Sequence, residues 1–174
     1  EYFDDIYSGL QLCGEYLIHN RIEAQYGYPP NDLYSIKTTI FNVGDIYNMY
    51  HISSLEYLGK GGSLVKNGYL YVPNGGLQIY KLHSANDPEE VLNLNEFEPQ
   101  QIVLSNNNTI FGVDDNYRVV QYDVSIPEAC EIIHQSNFAI DMPGYNNPPY
   151  LSAEGNFLYL ADNDGVKIFW APDM

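Results

Sequence analysis

The chain has 174 residues, 17 of them Tyr, and carries a formal charge of −16 because 23 acidic side chains face only seven Lys and Arg. That length is enough for one compact domain with its own core. The charge argues against nucleic acid and anionic membrane surfaces as partners, and no apolar run approaches the roughly 20 residues of a spanning helix.

Aromatic residues make up 14% of the chain and sit among Ile, Val, Leu and Thr, a composition that fits pleated, half-buried strands. In chain order, residues 2–7 form a short strand-like segment with no evident partner. Residues 10–13 and 15–19 read as two strands of a first repeat. An insertion follows, containing Tyr26, Tyr28, Pro29, Pro30 and Tyr34 and a further hairpin over residues 33–43. Residues 46–52 and 57–59 are then expected to be the last two strands of that repeat.

The next three repeats are clearer. Residues 67–82 read as strand, turn at Gly75-Gly76, strand; residues 108–124 repeat this with an Asp/Asn turn at Asp114-Asp115-Asn116; residues 155–170 repeat it again around Asp162-Asn163-Asp164-Gly165. A short segment precedes each hairpin (63–66, 101–104, 149–152), and an outer segment follows the first two (91–94, 131–134). Each unit therefore has four strands.

Leu70, Ile110 and Leu158 recur at intervals of 40 and 48 residues, close to the period of about 40–50 residues for four-stranded propeller blades. Leu70 and Val72 point to one side of their strand and Tyr69 and Tyr71 to the other, so both faces seek cover. Blades stacked around an axis provide that cover; a two-sheet sandwich does not explain the repeat. The expectation is an all-β single domain, a β-propeller of about four four-stranded blades or a partial propeller. Its repeats fall near residues 8–62, 63–98, 99–142 and 148–174, with an insertion in the first. Residues 1–7 are a candidate to complete the last blade.

No catalytic, cofactor or metal site is assigned. The Asp/Asn turns lack the distant bidentate Glu of a calcium loop, and Gly75-Gly76 stands in the same place, so the position asks for turn conformation alone. His19, His51, His83 and His134 sit near no recognised nucleophile setting. Cys13 and Cys130 match no metal or redox spacing and are expected as free thiols, with a disulfide between the first and third repeats as the alternative. The candidate partner-binding residues are Tyr26, Tyr28, Tyr34, Tyr145 and Tyr150, since Tyr supplies rigid amphipathic contact area at low entropic cost.

The segment Tyr122-Asp123-Val124-Ser125-Ile126-Pro127 resembles the signature that follows the third strand of LVIVD-repeat propellers. Leu82-His83-Ser84 and His51-Ile52-Ser53 look like looser copies, and the resemblance spans about residues 46–170. It implies a secreted or cell-surface protein. The function expected is a non-catalytic scaffold that binds a protein or glycan, or copies of itself. The alternatives are a propeller enzyme acting on glycans and a structural subunit of a surface layer or filament.

Overall fold

A computed structural model of the chain describes residues 9–26, 33–59, 62–83, 86–105, 108–114, 118–136, 150–162 and 165–170. It is an all-β structure of antiparallel meanders arranged as a four-bladed β-propeller. The first blade comprises β1 (Gly9–Cys13), β2 (Tyr16–Tyr26), β3 (Leu33–Asn42) and β4 (Tyr50–Gly59). The second comprises β5 (Leu64–Lys66), β6 (Tyr69–Pro73), β7 (Leu77–His83) and β8 (Asn86–Leu94). The third comprises β9 (Gln101–Leu104), β10 (Thr109–Val113), β11 (Val119–Asp123) and β12 (Glu131–Gln135), with a single 3-10 turn at Pro127–Ala129. The fourth blade shows β13 (Tyr150–Glu154), β14 (Phe157–Asp162) and β15 (Gly165–Trp170). Neighbouring strands in sequence are neighbours in every sheet, and the innermost strands meet in order, β1 with β5, β5 with β9, β9 with β13.

One difference from the sequence reading lies in the first blade. Its third strand is β3, and residues 46–49 belong to a loop instead of a strand. The inserted length prolongs the central hairpin: β2 and β3 run for 11 and 10 residues, against five and seven for β6 and β7.

A backbone hydrogen bond recurs at the same place in three blades and sets their common register. Val43 donates to the Glu15 carbonyl, Leu82 to Gly68 and Val124 to Asn108, each at 2.8 Å. Beside it, Asn42 Oδ1 accepts from the Gly44 amide at 3.0 Å and Asp123 Oδ1 accepts from the Ser125 amide at 2.8 Å. These are the same Asx turn. The first-blade counterpart of Asp123-Val124-Ser125 is therefore Asn42-Val43-Gly44, whereas His51-Ile52-Ser53 lies within β4. The inner hairpins turn on backbones that tolerate positive φ, as at Asn67 (52°) and Gly68 (79°), the residue pair that a two-residue type I′ turn prefers.

Apolar side chains fill the seams between blades, as the two-faced strands require. Leu70 and Val72 pack toward the first blade with Ile18, Ile36, Ile40, Tyr57, Val65 and Leu82. Tyr71 points the other way, into a seam with Leu77, Ile79, Ile102, Ile110, Val120, Tyr122 and Cys130. Phe111, Val113 and Val119 meet Leu158 and Leu160 of the fourth blade. Cys130 is a buried free thiol.

Polar ties reinforce the seams. Asn20 Oδ1 accepts from Thr38 Oγ1 at 2.6 Å and from Ser63 Oγ at 2.7 Å, and all three residues are at most 2% exposed. Gln11 Nε2 donates to the Ser63 carbonyl at 2.6 Å, and Ser105 Oγ donates to the Gly155 carbonyl at 2.5 Å. Buried and satisfied, such bonds fix one register of blade on blade.

Candidate functional site

The meanders run in the same sense in every blade, so their connections divide between two ends of the propeller. One end carries the β1–β2, β5–β6, β9–β10 and β13–β14 turns. The other, the linker end, carries the β2–β3, β6–β7 and β10–β11 connections and the segments joining one blade to the next.

At the linker end, Asn95, Glu96, Phe97, Glu98, Gln100, Asp114 and Arg118 enclose a pocket of about 310 Å³. This is the small end of the roughly 300–1,000 Å³ range of small-molecule sites. Its parts come from the segment between β8 and β9 and from the ends of β10 and β11. That segment lies close on β10: a Cβ at Gly112 would sit 2.9 Å from Pro99 Cβ and from Val120 Cγ1.

Arg118 is the organising residue. Its Nε donates to Asp114 Oδ2 at 2.7 Å and its Nη2 lies 2.5 Å from the same oxygen, while its amide donates to Asp114 Oδ1 at 2.8 Å. Its guanidinium also stands 5.5 Å from the centre of the Phe97 ring, which is 3% exposed. Charge-assisted bonds on one side and a ring face on the other hold the fork in place without burying it, leaving 43% of the side chain exposed.

The Asp114 carboxylate is thereby committed to its own hairpin, in keeping with the turn role expected of it. Glu96 and Glu98 are exposed at the rim, and Gln100 Oε1 is buried without a hydrogen-bond partner. With Asp114 and Arg118 neutralising each other, the remaining carboxylates make the pocket acceptor-rich and unfavourable to anions.

Of the tyrosines singled out from sequence, Tyr26 ends β2, Tyr34 lies at the start of β3 and Tyr150 opens β13, which puts all three backbones at the linker end. Tyr28 and Tyr145 lie outside the described residues. Composition missed Arg118 and Phe97. The available signal was an Asp and an Arg four residues apart across a hairpin turn, in a chain with seven cations in all.

A second surface lies at the opposite end, in the loop between β3 and β4. Asp45 Oδ1 accepts from the Tyr47 amide at 2.9 Å and Asp45 Oδ2 from Asn48 Nδ2 at 2.6 Å. These bonds, Asn48 first, hold the Asp45 carboxyl below the usual carboxylate range. The ordered loop displays Ile46, Tyr47 and Met49 at 69%, 89% and 60% exposure.

No protein-family model matches the chain, and no curated protein matches it. Among solved structures, the computationally designed Ika4 protein is similar over 99% of this chain and 95% of its own, with a TM-score of 0.57 and 9% identity. The computationally designed Ika8 protein is similar over 93% of this chain and 57% of its own, with a TM-score of 0.54 and 10% identity. The likeness is one of fold alone. Among the described residues, no helix is long and apolar enough to cross a membrane.

Proposed function

We propose that the protein is a non-catalytic propeller scaffold of the cell surface or secreted space, related to LVIVD-repeat propellers, that binds a glycan at its linker end. The observation that carries this is the acceptor-rich pocket around a pre-organised Arg118. Hydroxyl groups of a sugar would donate to Glu96 and Glu98, and a ring oxygen or hydroxyl would accept from the exposed edge of Arg118. The pocket walls are already in place, so binding would order few side chains. The Asp123-Val124-Ser125-Ile126-Pro127 turn after the third strand of the third blade supports the family reading.

The test is a glycan array followed by calorimetry on the strongest hit. Glu98→Gln and Arg118→Ala are expected to weaken that binding at least tenfold with an unchanged fold by circular dichroism. An array with no hit, or a hit indifferent to both changes, would sink the glycan reading. The ordered display of Ile46, Tyr47 and Met49 favours a second reading, a protein partner at the opposite end, for which Tyr47→Ala is the matching probe.

A further inference from the structure

The common register of the blades pairs each residue with its counterparts, and the pairing exposes an imbalance between the two end blades. Toward the preceding blade, the third blade buries Ile102 at 8% exposure and the second buries Val65 at 8%. Their first-blade counterparts, Leu10 and Leu12, are 69% and 71% exposed.

Toward the following blade, the second blade buries Leu77 and Ile79 at 0%, and the third buries Val119 at 5%. The fourth-blade counterparts Val166 and Ile168 are 64% and 61% exposed, with Trp170 beside them at 66%. The first blade thus presents the back half of a blade seam and the fourth presents the front half. Both are apolar, and both are built to the pattern that is closed three times inside the chain.

We infer that a second copy of this chain supplies the missing halves, the fourth blade of each copy stacking on the first blade of the other to close a ring of eight blades. The surface that fits a front half is a back half of the same repeat, and a second copy offers one in the right chemistry. Head-to-tail contacts close only if the rotation allows, and propellers typically have four to eight blades. Two copies reach the upper bound of that range; three would exceed it.

The area suffices. With strands about 4.8 Å apart and about 3.3 Å per residue, a face of three strands and six residues covers roughly 300 Å², so two seams of two faces bury roughly 1,200 Å², the lower bound of a standard interface. Because each copy carries a formal charge of −16, association is expected to strengthen as salt screens the repulsion. The dimer does not depend on binding at the pocket of the linker end.

The experiment is analytical ultracentrifugation of the full chain, at low and moderate salt, with Leu12→Asp and Ile168→Asp variants checked for fold by circular dichroism. Wild type is expected at twice the 19.8 kDa chain mass, and each variant alone as a monomer. An equimolar mixture of the two variants is expected to recover dimer, since one of the two seams then pairs an unaltered Leu12 with an unaltered Ile168.

A monomeric wild type, an open series of larger species, or a dimer indifferent to both substitutions overturns the proposal. So does a dimer broken by one substitution alone, which would mean a back-to-back or front-to-front contact. If an Asp variant fails to fold, Leu12→Thr and Ile168→Thr carry the same test at a smaller shift in association constant.

Discussion

Cys130 is 5% exposed in the seam between the second and third blades. Burial, reinforced by the nearby Asp123 and Glu131 carboxylates, pushes its thiol up to about 12. The thiolate is the reactive form, so Cys130 is expected to be unreactive at neutral pH. Residue-resolved mass spectrometry after brief iodoacetamide treatment at pH 7.5 is expected to find Cys130 unmodified in the folded protein and fully modified in urea. Rapid native modification would contradict its place in the core. At this scale the sequence was only partly legible. The two-faced strand from Tyr69 to Val72 reads directly, because alternation is local. Arg118 does not, because its role depends on Phe97, which reaches it through the tertiary path of the segment between β8 and β9.

The hairpin between β6 and β7 shows what a glycine does for an element. Gly76 has φ of 143°, and a Cβ there would lie 2.4 Å from the Leu94 carbonyl oxygen and 2.8 Å from Asn95 Oδ1. Strain and collision act together, so Gly76→Ala is expected to cost about 2–3 kcal/mol in urea denaturation. A loss under about 0.5 kcal/mol would mean that β8 does not lie against this turn. The Gly75-Gly76 turn was plain in sequence. The first blade was not: Ile46 to Ile52 has the apolar content of a strand, yet Asp45 turns residues 46–49 into a loop through two side-chain bonds, and strand β4 begins only at Tyr50. Strand β3, rich in Thr and Ile, reads by local pattern as part of an inserted hairpin. Both segments satisfy local propensity, and only pairing with β2 and β4 decides between them.

For the whole molecule, the buried Tyr57 and Tyr122 and the half-buried Tyr80 are expected to set the alkaline limit. Burial raises Tyr57 to about 12, its bonds to Thr38 and Ser63 offsetting part of the effect. Tyr80 is raised to about 12, first by burial and then by Glu90, and Tyr122 is raised by burial. With Cys130, each has a folded value above its ordinary one, so the unfolded chain releases these protons first. Stability is expected to hold level through neutral pH and to fall as pH rises from about 9, the ordinary thiol value, toward about 12. Urea midpoints at pH 7, 9 and 10.5 check this; a midpoint unchanged at pH 10.5 would refute it.

The repeat that revealed the propeller is carried by side chains, but the bond that keeps three of its blades in step, from Val43, Leu82 and Val124 to the carbonyls of Glu15, Gly68 and Asn108, uses main chain only. Every residue except proline can make it. The phase of the blades therefore depends on backbone geometry at these turns, positive φ at Gly68 and Asn108 included, and a substitution that keeps that geometry keeps the blades in step.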